Sequence, residues 1–148
     1  MKLGTLVLIV GLASAVILMV LGTSSAESAG ASSATIARGK YLVDQVGMCG
    51  DCHSEHNEKG ELITEKYLKG TTLFFKPLVP MPVWADKSPA IAGLPGWTDD
   101  GATKFLMTGI AYNNLPARPP MPQYRFNKRD ASAIVAYLKS LPSGPVAR

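Results

Sequence analysis

Two thiols and an imidazole stand in the run Met48-Cys49-Gly50-Asp51-Cys52-His53. Cysteines three positions apart lie one helical turn apart and share a face. With a histidine directly after them, this is the spacing of covalent c-type haem attachment. The thiols of Cys49 and Cys52 would add across the porphyrin vinyl groups. His53 would then lie beneath the iron and offer a ring nitrogen as its proximal ligand, the other ring nitrogen donating to a backbone carbonyl that fixes the tautomer. The rival chemistries fit less well. A disulfide within Cys-x-x-Cys closes a short, strained loop. A thioredoxin-like pair wants a preceding strand, whereas the residues before Cys49 carry a helix-like pattern. Zinc held by Cys49, Cys52, His53 and His56 has suitable ligand types, but zinc sites put a long loop between ligand pairs. Four ligands within residues 49–56 can hardly wrap a tetrahedron.

A haem iron so held needs a sixth ligand or an open face. The six methionines are Met1, Met19, Met48, Met81, Met107 and Met121. Met1 and Met19 fall in an apolar N-terminal run. Met48 adjoins the attachment motif and cannot reach the opposite haem face, and Met107 sits in a predicted helix where a flexible thioether fills core. Met81, between Pro80 and Pro82, and Met121, between Pro120 and Pro122, occupy stiff loops that could hold a sulfur against iron. Met121 is favoured because a helix follows it. His56 lies on the same side of the haem as His53 and reads as solvated surface.

Composition narrows the field. Two cysteines exclude a multi-disulfide scaffold, a four-cysteine zinc site and a thiolate-ligated iron–sulfur cluster within the chain. The formal charge is +4, but the basic residues are scattered, which argues against nucleic-acid binding. The 148 residues fit one domain, and the apolar content is unevenly spread. Leu3 to Gly22 carries no charge. As a helix it would span roughly 30 Å, the thickness of a bilayer core. The chain is therefore expected to divide into a single transmembrane helix at 1–22, a flexible Ser/Ala/Gly linker at 23–34 and a folded domain at 35–148. The run is long for a signal peptide, although Ser24-Ser25-Ala26 could supply a cleavage site. Lys2 places the N-terminus in the cytoplasm by the positive-inside tendency. Both readings export the domain: a single-pass inner-membrane protein with its haem domain on the periplasmic side, or a soluble periplasmic one after cleavage.

Helices must position these groups. Thr35 to Val46 is predicted helical, capped by Thr35, with Ile36, Leu42, Val43 and Val46 as its apolar face. Gly60 to Gly96 reads as loop, broken by Pro77, Pro80, Pro82, Pro89 and Pro95 and by four glycines. Thr98 caps a helix to Met107, with Asp99 and Asp100 where the dipole favours anions. Asn127 caps the last helix, with Asp130 in the capping-box position. Ala133, Ile134, Tyr137, Leu138 and Leu141 form its buried stripe. Three helices and a Pro-rich loop make a small core, which a haem would fill.

From Ala34 to Pro142 the chain resembles the class I cytochromes c, and within them the bacterial periplasmic type found as cytochrome subunits of dehydrogenases and related complexes. The matching residues are Ala37-Arg38-Gly39-Lys40-Tyr41-Leu42, then Cys49, Cys52 and His53, then Gly96-Trp97-Thr98-Asp99. Pro120-Met121-Pro122-x-Tyr124-x-Phe126 and Ile134 to Pro142 complete the match. The resemblance implies an all-α fold around one covalent haem c, axial ligation by His53 and Met121, and first and last helices crossing near Gly39 and Tyr137. It offers Trp97 as a donor to a haem propionate, beside the plainer reading of a core aromatic. The segment from Glu55 to Pro89 is longer than in the smallest members. The function implied is single-electron transfer between membrane or periplasmic redox proteins, as a tethered carrier or a non-catalytic subunit of a complex. A haem enzyme or gas sensor with a displaceable distal ligand is the alternative. Arg118, Arg125, Lys128 and Arg129 surround the Met121 loop and would suit an acidic docking surface or a large membrane complex.

Overall fold

The structure is a computed structural model that describes residues 31–143. The predicted membrane helix at 1–22 and the linker up to residue 30 lie outside the described residues, as do residues 144–148 at the end of the predicted domain. Among the described residues no helix is long and apolar enough to cross a membrane.

Among the described residues four α-helices carry the fold: α1 (Ser33–Tyr41), α2 (Cys49–His53), α3 (Asp99–Thr108) and α4 (Lys128–Ser140). The first begins earlier than the sequence suggested, inside the expected linker. Ser32 caps it, its Oγ accepting from the Thr35 N–H at 3.2 Å. The predicted helix also does not run evenly to Val46. Leu42–Val46 forms a π-helical turn, closed by Gly47 N–H to Leu42 O at 2.7 Å. That wider turn rotates the helical register. Leu42 and Val43 stay buried, but Val46 leaves the apolar stripe and is exposed. The other caps are as expected. Thr98 Oγ1 accepts from Gly101 N–H at 3.1 Å, and Asn127 Oδ1 from Asp130 N–H at 3.0 Å.

The core lies where α4 packs on α1 and α3. Ala133, Ile134, Val135, Tyr137 and Leu138 of α4 are buried with Leu42, Val43, Leu68 and Ala102. The crossing of α1 over α4 is set by Gly39. A Cβ there would stand 1.9 Å from Ala133 O and 2.7 Å from Tyr137 Cβ, so the backbones meet where only glycine fits. Arg38 and Asp130 join the same two helices in a two-pronged ion pair at 3.0 and 3.2 Å. The Arg38 hydrogen bond holds the Asp130 carboxyl below its ordinary range.

Between α2 and α3 the chain is mostly loop, as predicted. It contains a 3-10 turn at Thr64–Lys66 and one short antiparallel ladder, β1 (Thr71–Thr72) against β2 (Lys87–Ser88), with Thr71 opposite Ser88. That ladder is the departure from an all-α chain, and it closes the segment 73–86 into a hairpin-like projection.

Candidate haem site

The attachment motif is α2 itself. Met48 enters it in the left-handed conformation, φ 45°, and its side chain is exposed, away from any ligating role. One helical turn puts Cys49 and Cys52 on the same side. Both thiols are free and partly buried. Burial pushes the Cys49 thiol up to about 11 and the Cys52 thiol upward, so both are held as neutral thiols.

His53 follows on the inner side and is buried. Its Nδ1 bonds the Pro89 carbonyl at 2.8 Å. A carbonyl can only accept, so Nδ1 carries the proton and Nε2 keeps its lone pair for a metal. Burial lowers the imidazole below its ordinary range, opposed by the Pro89 hydrogen bond; the neutral form is the ligating one. The backbone around it is fixed by the long loop. Gly70 N–H donates to His53 O at 2.8 Å, Leu68 N–H to Ser54 Oγ at 2.9 Å, and Ser88 Oγ to Cys52 O. The loop after the motif thus builds the proximal wall.

Met121 lies in an irregular segment before α4 and is partly buried. Its N–H donates to Arg118 O at 3.0 Å. Three residues on, the Tyr124 hydroxyl donates to Gly47 O at 2.5 Å. Gly47 is itself beside the motif, since a Cβ on it would lie 3.1 Å from Cys49 Sγ and 3.6 Å from the Tyr124 hydroxyl. The Met121 segment is therefore drawn back to the entrance of α2. Burial pushes the Tyr124 hydroxyl up to about 12, so it remains a donor at physiological pH. Phe126 stacks on Tyr124 at 5.0 Å, and its N–H reaches Leu106 O at 3.2 Å, tying the segment to α3. Met81 lies on the projecting hairpin and is 38% exposed.

His56 packs edge-on against Phe74 at 5.7 Å, turned to the loop. Trp97 packs on Phe105 and Tyr112, each at 5.3 Å, with its carbonyl accepting from Lys139 Nζ at 2.9 Å. The second tryptophan, which sequence reasoning passed over, has the more telling environment. Trp84 Nε1 is buried without a hydrogen-bond partner among the described residues. The Trp84 segment is fastened to the Met121 loop: Arg118 donates to Val83 O at 3.0 Å and to Trp84 O at 2.6 Å, and Ala85 N–H to Pro119 O at 2.8 Å. An unpaired buried donor costs free energy until it finds an acceptor, and a haem carboxylate is an acceptor of the right kind.

These residues fit an iron porphyrin. The thiols on one helix face would bind its edge and the bare Nε2 of His53 its metal, with Met121 the sequence candidate for a second ligand. The expected basic rim is partly consumed by the fold. Arg118 clamps the hairpin carbonyls, and Arg125 donates to Gln123 O and Tyr124 O at 3.1 and 2.8 Å. Lys128 and Arg129 remain exposed at the start of α4.

Comparison with known proteins agrees with this geometry. The Cytochrome c family model matches residues 36–142. The chain is 29% identical over 116 residues to the fructose dehydrogenase cytochrome subunit of Gluconobacter japonicus, covering 72% of this chain and 22% of that one. It is 32% identical over 120 residues to the cytochrome c subunit of the quinone alcohol dehydrogenase of Gluconacetobacter polyoxogenes, covering 74% and 25%. The corresponding cytochrome c subunit of Gluconobacter oxydans is 26% identical over 118 residues, covering 74% and 24%. The chain thus spans about a quarter of the length of these relatives.

Proposed function

The chain belongs to the cytochrome c family and carries covalently bound haem c, and from that premise we propose that it is a monohaem electron carrier ligated by His53 and Met121, held to a membrane by residues 3–22. When bound, the haem supplies a one-electron couple, and a thioether opposite an imidazole raises its reduction potential. The residues do the rest. Cys49 and Cys52 fix the porphyrin on α2, and Pro89 holds His53 in the tautomer that leaves Nε2 free. Pro120 and Pro122 stiffen the segment bearing Met121, so that little loop entropy is lost in placing its sulfur.

The observation that supports this reading is the Tyr124–Gly47 hydrogen bond, which ties the segment bearing Met121 to the entrance of the motif that holds His53. A methionine held there would close the site to substrate, as a carrier rather than a haem enzyme or gas sensor requires. The relatives are named as cytochrome subunits of dehydrogenases, which supports a role as a non-catalytic partner of an oxidoreductase.

The test compares two methionines in the purified haem protein. Met121→Ala should abolish the long-wavelength absorption band of Met–iron bonding and admit carbon monoxide within the mixing time. Met81→Ala should leave both the band and the closed site as in the parent. Carbon monoxide binding as fast in the parent as in Met121→Ala would instead establish the open-site reading. Loss of the band in Met81→Ala would move the distal ligand to Met81.

A further inference from the structure

The hairpin between β1 and β2 carries a surface that electron transfer at the haem does not account for. From Leu73 to Ala85 the sequence is LFFKPLVPMPVWA, with Lys76 its one charge and no acid. Leu73 turns inward and is buried. Phe75 and Trp84 are partly buried, whereas Phe74 is 77% exposed, Leu78 104% and Val79 65%. The projection is nevertheless built firmly. The β1–β2 ladder and Leu73 N–H to Asp86 O at 2.9 Å close its base. Trp84 N–H to Met81 O at 3.0 Å and the Phe75–Trp84 edge contact at 5.9 Å brace one side. Pro77, Pro80 and Pro82 restrict its tip, so burying the tip would order little additional chain.

We propose that the Phe74–Val83 hairpin is a membrane-interface element that inserts Leu78, Val79 and Phe74 among the lipids of the bilayer. This rests on the reading of residues 3–22 as a membrane anchor. Residues 23–32 alone separate Gly22 from the first residue of α1. A chain of that length cannot reach beyond about 35 Å. The domain is then never more than a short tether from lipid, and at that effective concentration even weak insertion is populated. The chemistry suits an interface. Convex apolar tips enter a soft phase without needing a complementary groove, and Lys76 can snorkel to anionic headgroups. The consequence is orientation. Because Arg118 and Pro119 fasten the hairpin to the Met121 segment, seating the hairpin fixes that side of the haem site relative to the membrane plane. An electron partner of the same membrane would then meet one presented face.

The experiment uses the full-length haem protein in vesicles of phosphatidylcholine and phosphatidylglycerol. Cys49 and Cys52 are consumed as thioethers, so Leu78→Cys supplies the single thiol for a nitroxide label, with Ser132→Cys on α4 as the control. Relaxation is read in the reduced protein, with oxygen as the lipid-soluble reagent and a nickel chelate as the aqueous one. The Leu78 label should favour oxygen several-fold over the nickel chelate, while the Ser132 label favours nickel. Adding Val79→Asp should reverse the Leu78 preference with an unchanged haem spectrum. If the protein floats with vesicles and the Leu78 label favours nickel, the hairpin proposal is overturned and the anchor stands. If the protein fails to float at all, the anchor reading fails and takes the hairpin with it. A Leu78 label shielded from both reagents would mean that protein covers the hairpin, which also overturns the proposal.

Discussion

The two residues that decide the chemistry differ in how far the sequence exposed them. His53 is marked by its position after the second cysteine, because attachment and ligation share one helix. Its tautomer depends on the carbonyl of Pro89, a backbone atom 36 positions away that no side-chain pattern announces. Trp84 is a stronger case. Its residue type gives no sign of role, and only the fold shows its Nε1 buried without a partner among the described residues. Tyr124 falls between these, since it was matched as part of the Met-Pro block but its target, Gly47 O, was not foreseen. Removing its hydroxyl tests the closure directly. Tyr124→Phe leaves the carbonyl of Gly47 without its donor, so the haem protein should lose about 1–2 kcal/mol in denaturant unfolding. The Met–iron band should also disappear at a lower alkaline pH than in the parent, because the distal segment opens more easily. An unchanged midpoint and an unchanged pH of band loss would show that the hydrogen bond does not hold Met121 in place.

At the scale of elements, local chemistry was legible wherever a single cap or stripe determined the outcome. Thr98 and Asn127 cap their helices as read, and Ala133, Ile134, Tyr137 and Leu138 are buried as the α4 stripe required. The start of α1 was hidden because Ser32, Ser33 and Thr35 are all competent caps within a Ser/Ala-rich run. Only the added turn of helix selects Ser32. The π-helical turn at Leu42–Val46 was invisible for a related reason: its apolar residues satisfy a regular helix equally well, and the extra residue per turn shows only in the exposure of Val46. The α1–α4 crossing, by contrast, rests on one position. In Gly39→Ala the new methyl would meet Ala133 O at 1.9 Å, an atom of the main chain that cannot swing aside. The helices must separate, and a loss of about 3 kcal/mol or more is expected, read as a lowered thermal midpoint of the haem protein. A midpoint within a degree or two of the parent would mean that the crossing is soft.

The whole molecule depends on a group the chain does not itself contain. Its buried apolar set combines the alanines Ala90, Ala92, Ala102, Ala131 and Ala133 with Leu42, Val43, Leu68, Leu73, Leu94, Ile134, Val135, Tyr137 and Leu138. Burial of apolar area contributes about 25 cal/mol per Å², against a backbone entropy cost of about 1–2 kcal/mol for every residue ordered. A core of this size, about a third of it alanine, is small for a domain with a loop this long, and small cores are marginal for the same reason. The porphyrin would add one large apolar body in contact with α2, the proximal loop and the Met121 segment, which otherwise meet chiefly through backbone hydrogen bonds. The stability of those loops should therefore belong to the haem rather than to the helices. The double variant Cys49→Ala/Cys52→Ala, purified free of haem, should keep a helical far-ultraviolet signal, because the α1–α4 and α3–α4 contacts need no haem. It should lose its near-ultraviolet signal and its cooperative thermal transition, as expected of a chain with secondary structure but loosened packing. A sharp transition in the haem-free variant at the midpoint of the haem protein would show that the polypeptide alone completes its core, and the haem would then be a passenger in the fold rather than part of it.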